Sequence, residues 1–407
     1  MKTENTISKT KNLLLLLHNR DENAQALREL SAHFCGVVVS QLAEFPADLT
    51  GKRIHVCGDI AQLEEIGTPL YIIRELSFNY EDSNPALIHF LSLGQVPVIV
   101  SNAGVYFRRL FEEDNYFQRI KNEHVFQDLT ESTKPGMALR KGIYLTSVSK
   151  EESVDGKEAL HYRLLRCSSN LSGPTDNFRS TDHEIMDAIN AAAKYVFEEE
   201  TTLNHVLAQI YENKKKSDSE EKESKARIKA HSDKTKDMPK EALIAFCTFY
   251  DSANFEHLKP SSTDRFDWCY KQASGLTRLH FKLKKSVADD RLAKEFSVTL
   301  YPNSVFFIPL STNRLYTHEI RPSMLNIDMI PTRLGYVARC SSTEAIFRDA
   351  QTFIMENGNW VPLEDMTLET MNSLKESYVE ENQTERRVQY GKVHFSMNRG
   401  DYQKPIH

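Results

Sequence analysis

The stretch NSVFFIPLSTNRLYTHEI, residues 303–320, holds an apolar run, a polar turn and a second short apolar-polar segment that carries His318. An apolar run of about seven residues bounded by polar ones reads as a strand. Ser311, Thr312 and Asn313 supply turn chemistry, and RLYTHEI returns as a further short strand. Working outward, ALIAFCTFY (242–250), LTRLHFKLKK (276–285), FSVTLYP (296–302) and LGYVARCSS (334–342) repeat the pattern. With SVFFIPL (304–310) they make five strands separated by turns, which predicts a β-sandwich or barrel.

Upstream, GIYLTSV (142–148) and HYRLLRC (161–167) flank a polar, Gly-containing turn and predict a hairpin. STDHEIMDAINAAAKYVFEE (180–199) predicts a helix, with Ser180 or Thr181 as its cap and Glu184 completing a capping box. LNHVLAQIYEN (203–213) alternates as a strand does. Residues 10–45 carry helix-like spacing through Leu27, Leu30, Phe34 and Val38, and GVYFRRLF (104–111) opens a helix or a strand-helix junction. The apolar runs at 53–57, 70–73 and 96–100 read as strands. Three regions result: an α/β region over 1–140 packing on the core, a core over 141–345 with a long basic loop at 212–229, and a tail over 346–407. The tail has a helix near 364–379 and a strand near 388–396.

The chain's 407 residues, 40% hydrophobic and 27% charged, suit a globular protein with a sizeable core. A net charge of −6 argues against a surface coated for nucleic acid, although a local basic groove fits inside that total. The segment 212–240 concentrates ten Lys or Arg against seven Asp or Glu, the composition of a solvated loop. Six scattered cysteines, without C-x-x-C, exclude a zinc ribbon and a disulfide framework. Leu13–Leu17 is too short for a secretory core, and no apolar run is long enough to span a bilayer. The expected setting is intracellular, cytoplasm or nucleus, with no membrane partner.

The chemistry starts at AHSDKTKDMP (230–239). In a strand, residues i and i+2 face the same way, so His231 and Asp233 can reach one cation. Alone, His-x-Asp is common, and a hydrophilic turn explains it as well. RLGYVAR adds Arg333 and Arg339, six apart and so on one strand face. A guanidinium inside a sandwich needs an anionic partner, which a bound dicarboxylate would supply through two-pronged pairing. Two histidines, one carboxylate and a nearby Arg make the facial triad of non-haem Fe(II) oxygenases, with positions left open for a chelating cosubstrate and O2.

The order His-x-Asp, His, Arg-x5-Arg resembles the AlkB-like Fe(II)/2-oxoglutarate-dependent dioxygenases. AQIYEN is similar to the family's Asn-x-Tyr element, and RLYTHEI to its segment around the second histidine. The resemblance spans roughly 203–342 and implies a double-stranded β-helix (jelly-roll, cupin-like) core in an α+β chain with flanking helices. It further implies that His231, Asp233 and His318 ligate Fe(II), and that Arg333 pairs with the distal carboxylate of 2-oxoglutarate. Tyr211, with Gln209 beside it, would bind the same cosubstrate, and Arg339 would support the pocket. Gln209, Glu319 and Gly335 depart from the family's Asn, Gly and Asn. The 87 residues between the histidines (318 − 231) imply an insertion at 251–275 or 285–295.

The implied activity couples conversion of 2-oxoglutarate and O2 into succinate and CO2 to hydroxylation, or oxidative demethylation, of a substrate C–H. An alkylated or methylated nucleobase in DNA or RNA is one substrate class, with which the basic loop and KLKK (282–285) are compatible and the overall acidity is not. A protein side chain or a small molecule is the second. A non-catalytic sandwich that binds a partner, with incidental His and Asp, is the reading from another class. His280 reads as a strand residue, Cys247 as core and FDWCY (266–270) as packing or stacking aromatics. RCSSNLSGPTDNFRST (166–181) reads as a plain surface loop or a substrate lid.

Overall fold

A computed structural model of the chain describes residues 4–63, 67–79, 87–113, 115–130, 136–152, 158–167, 170–215 and 223–407. Residues 216–222 of the basic loop and 168–169 of the 166–181 segment lie outside them. The chain is mixed α+β, with most of its ordered backbone in several sheets and few helices. Among the described residues, no helix is long and apolar enough to cross a membrane.

The leucine run is a strand. Asn12–Leu16 lies inside a parallel five-stranded sheet ordered Val37–Val39, Asn12–Leu16, Arg53–Asp59, Leu70–Phe78, Ile88–Leu91. Leu13 and Leu15 pack with Ile54, Val56 and Ile72 on one face, while Leu14, Cys57 and Ile73 join the main core on the other. A strand buried on both faces has no alternation, so a helix-like reading of 10–45 fails there. The helix is confined to Ala24–His33.

Two antiparallel sheets frame the centre. Their strands are β1 (His205–Tyr211), β2 (Ile228–His231), β3 (Leu243–Tyr250), β4 (Arg278–Leu283), β5 (Glu295–Thr299), β6 (Ser304–Pro309), β7 (Tyr316–Ile320) and β8 (Arg333–Arg339). The larger sheet runs β1-β8-β3-β6 and the smaller β2-β7-β4-β5. Their facing side chains interlock, with Phe246 against His318 and Phe281 against Phe306. The larger sheet grows outward on both edges. Met137–Thr146 pairs with β1, and Gly104–Phe107 pairs with β6, followed by Val98–Val100. Residues 104–107 are thus strand rather than helix.

Other expectations are corrected. Met137–Thr146 and Glu158–Leu164 do not pair with each other; the latter pairs with Ser149–Glu152 and Thr343–Arg348 in a separate sheet. The tail helix runs Leu368–Gln383, and no strand forms at 388–396, where Arg166 instead donates to the Val393 and Phe395 carbonyls. The Ser180–Val196 helix is capped by Asp182, whose carboxylate accepts the Arg179 N–H, not by a Ser180 or Thr181 box with Glu184. Between β3 and β4, Lys259–Pro260, Trp268–Tyr270 and Ala273–Ser274 form a small sheet in the interval where an insertion was expected.

Behind β8 sits a buried charge chain. His124 donates from Nδ1 to Asp176 and from Nε2 to Asp182, both at 2.8 Å, and the Tyr336 hydroxyl donates to Asp182 at 2.9 Å. Burial alone would lower the His124 pKa, but the two carboxylates push it up to about 9. The native value lies above the unfolded one of about 6.5, so this stability is complete below pH ~6.5. It is lost as pH rises toward 9, and amounts to roughly 3 kcal/mol at most. Urea midpoints should fall between pH 7 and pH 10, and His124→Gln should flatten that slope.

Candidate metal centre

His231 ends β2, and the chain turns there so that Asp233 points back into the space between the sheets, where it is buried. β7 pairs with β2 and sets His318 opposite His231, the two rings 4.4 Å apart. His231 Nε2 lies 3.7 Å and His318 Nε2 4.0 Å from Asp233 Oδ1. These spacings are too long for hydrogen bonds. They suit donors sharing one ion, since ligands roughly 2.1 Å from a metal lie about 3–4 Å from one another. One ligand atom from each of the three residues fits within 4.8 Å of the others.

The neighbours fix which atoms face that point. Lys229 O accepts from His231 Nδ1 at 2.9 Å, which leaves Nε2 as the lone-pair nitrogen. Arg339 donates from Nε and Nη2 to Asp233 Oδ2 at 2.9 and 2.8 Å, leaving Oδ1 toward the histidines. Burial works against the charge on Asp233, yet Arg339 and the two histidines hold its carboxyl down to about 2. Burial, then His231, push the His318 imidazole down to about 3. The donor set is one carboxylate and a neutral imidazole at His318, beside His231.

Three further residues hold this loop, and the sequence reading missed them. Asn313 clasps the Asp233 backbone twice, accepting its N–H and donating to its carbonyl, each at 2.8 Å. Asn382, on the C-terminal helix, accepts the Ser232 N–H at 2.7 Å. Lys284 joins the two supports by donating to the Asn313, Glu381 and Thr384 carbonyls. Groups that orient metal ligands typically contribute 10–100-fold in metal affinity. Asn313→Ala should therefore weaken Mn(II) binding about tenfold, read by calorimetry, while His231, Asp233 and His318 stay in place.

Along β8 from Arg339, Arg333 is also buried and lies over the Tyr211 ring, 3.9 Å from its centroid. Tyr211 OH donates to Gln209 Oε1 at 3.1 Å, so Gln209 holds the tyrosine. Gly335 makes room for the arginine, since a Cβ there would come 2.9 Å from Arg333 Nη1 and 3.2 Å from Tyr211. Arg333 Nη2 is buried without a hydrogen-bond partner among the described residues. So is Thr248 Oγ1, whose residue pairs directly with Gly335 across β3 and β8. A buried donor without a partner is what an absent acceptor leaves behind. Arg333 lines a cavity of about 490 Å³ together with Tyr211 and Ile320, and Ile320 stands two residues along β7 from His318.

The remaining candidates separate. His280 lines the cavity mouth, and Cys247 is buried core. Arg166 and Arg179, in the segment read as loop or lid, pair internally with Asp237 and Asp176. Glu123, His124 and Asp182 also cluster. There, however, both imidazole nitrogens donate to aspartates, leaving His124 no lone pair for a cation.

No family model matches the sequence, and no curated protein does. Among solved structures, one titled "The structure of OsALKBH1" is similar, at 12% identity over 58% of this chain and 96% of that chain, with a TM-score of 0.32. A likeness that faint carries no argument. The functional reading rests on the site.

Proposed function

We propose that this chain is an Fe(II)- and 2-oxoglutarate-dependent dioxygenase whose two facing sheets form a double-stranded β-helix. The sheet orders β1-β8-β3-β6 and β2-β7-β4-β5 support the fold, because strands consecutive in the chain mostly alternate between the sheets. One observation carries the function. Arg333, buried with its Nη2 unmatched among the described residues, stands on β8, the strand whose other end, Arg339, holds Asp233 of the His-Asp-His donor set. Leaving Arg333 Nη2 unmatched is costly unless an acceptor arrives, and a carboxylate is the acceptor its fork fits.

In this reading His231, Asp233 and His318 hold the metal through Nε2, Oδ1 and Nε2. Arg333 grips the distal carboxylate of 2-oxoglutarate, with Thr248 as a second donor and Tyr211 bracing the guanidinium. Arg339 keeps Asp233 ionised and aimed. Phe246 and Phe281 pack on the His318 ring and keep water from that side. When bound, iron and 2-oxoglutarate supply the oxidising chemistry, in which O2 is consumed, succinate and CO2 form, and a substrate C–H becomes C–OH. A hydroxylated carbon on nitrogen would then leave, giving demethylation.

The test is succinate formation from 2-oxoglutarate under air, with and without Fe(II). Succinate that requires both Fe(II) and O2 supports the reading. Its absence, with Fe(II) bound, favours the non-catalytic binding module, in which the same residues only hold an ion.

A further inference from the structure

The cavity beside Arg333 has the size of sites that hold small molecules, about 490 Å³. Its deep end is Arg333 and Tyr211. Its mouth is built from the inserted segment around Gln272–Thr277 and the stretch after β7 around Arg321–Leu325. No Asp or Glu lines it among the described residues, and the charged groups that do are Arg278, Arg321 and Arg333, with His280 beside them.

Two features of that mouth are unusual. Leu279 pairs with Ile320, so the register carried one position outward sets Arg278 opposite Arg321. Like charges directly opposed on a sheet are unfavourable. Arg321 is relieved by Glu319 at 2.7 Å. Arg278 is exposed and makes no salt bridge among the described residues; buried Asp267 feels its charge without reaching it. The walls behind are aliphatic: Leu276, Ile320, Leu325, Ile330 and Pro331. Tyr211 and the His280 imidazole supply the aromatic rings among the described lining residues, and Arg333 already covers a face of Tyr211. A flipped nucleobase is held by stacking between ring faces, and beyond Tyr211 this lining offers a single small one, the His280 imidazole.

We infer that the substrate is a small molecule with an aliphatic chain ending in an oxyanion, carboxylate or phosphate, which Arg278 and Arg321 hold at the mouth while the chain lies along the aliphatic wall. The inference rests on the oxygenase reading and deepens it, because it places the oxidised C–H on that chain, along the wall at Ile320, two residues from His318 on β7. Arginine forks match both oxyanions, and the apolar wall makes the neutral part of the molecule contribute as well.

The test is calorimetric titration of the full chain, loaded with Mn(II) and 2-oxoglutarate, with octanoate, octyl phosphate, octanol and adenosine monophosphate. At least one octyl anion should bind tenfold or more tighter than octanol, and which one does identifies the oxyanion. Arg278→Gln should weaken it at least tenfold and leave Mn(II) and 2-oxoglutarate affinity within twofold. Equal binding of octanol, an unchanged anion affinity in Arg278→Gln, or tighter binding of adenosine monophosphate would each overturn the inference. Loss of anion binding in Arg333→Met alone would also do so, since the anion would then occupy only the deep site. Failure of Mn(II) to bind would instead defeat the oxygenase reading, and the octyl series can still be titrated into the metal-free chain.

Discussion

His318→Ala should raise the Mn(II) dissociation constant at least about 100-fold. It removes one of the three proposed protein ligands, a larger loss than the 10–100-fold typical of groups that only orient ligands. The mutant should still fold, because His318 Nδ1 has no partner to lose among the described residues. Asp233→Ala is the poorer test, since it strands the Arg339 guanidinium, whose two short bonds both end on Asp233 Oδ2 and whose third, to the Val337 carbonyl, is 3.4 Å long. Breaking a buried pair that way costs about 3–5 kcal/mol in stability. Asp233→Asn keeps the shape and removes the charge, so it should lower metal affinity with a smaller loss of stability. Metal at 100 times its dissociation constant stabilises a folded chain by about 2.7 kcal/mol. Melting curves should therefore rise with Mn(II) in the unaltered protein and stay flat in His318→Ala. An equal rise in both would show that the ion binds elsewhere.

Arg333 gives the second large effect, and its sign separates a binding residue from a structural one. Truncating one partner of a buried charged pair costs about 2–5 kcal/mol. Arg333→Met should accordingly weaken 2-oxoglutarate at least tenfold with Mn(II) bound, and Arg333→Lys should do so to a smaller degree by losing the planar fork. In the absence of 2-oxoglutarate, Arg333→Met should leave the melting temperature unchanged or raise it. The guanidinium is buried with Nη2 unmatched, so replacing it with an apolar chain of similar length removes a cost. A structural arginine would behave oppositely, with lower stability and unchanged 2-oxoglutarate affinity.

What the sequence made legible was local. Arg333-x5-Arg339 announces itself because a strand's period of two turns even spacings into shared faces, whereas His231 and Asp233 meet because the chain turns after β2 ends at His231, not as strand neighbours. The strands β1, β3, β6 and β8 stand out as apolar runs between turns. The supports of the site were hidden because they are distant in the chain. Asn313 meets Asp233 across 80 residues, and Asn382 meets Ser232 across 150. Thr248 carries no signal within its apolar run, and only the pairing of β3 with β8 sets it opposite Gly335. The leucine run misled for a physical reason: a strand buried on both faces has no period to read.

The most direct measurement is anomalous diffraction from crystals of the full chain grown with Mn(II) and 2-oxoglutarate. The account predicts one strong peak between His231 Nε2, Asp233 Oδ1 and His318 Nε2, and a dicarboxylate with its distal end on Arg333. A peak at another set of ligands, or a dicarboxylate bound away from Arg333, would contradict it.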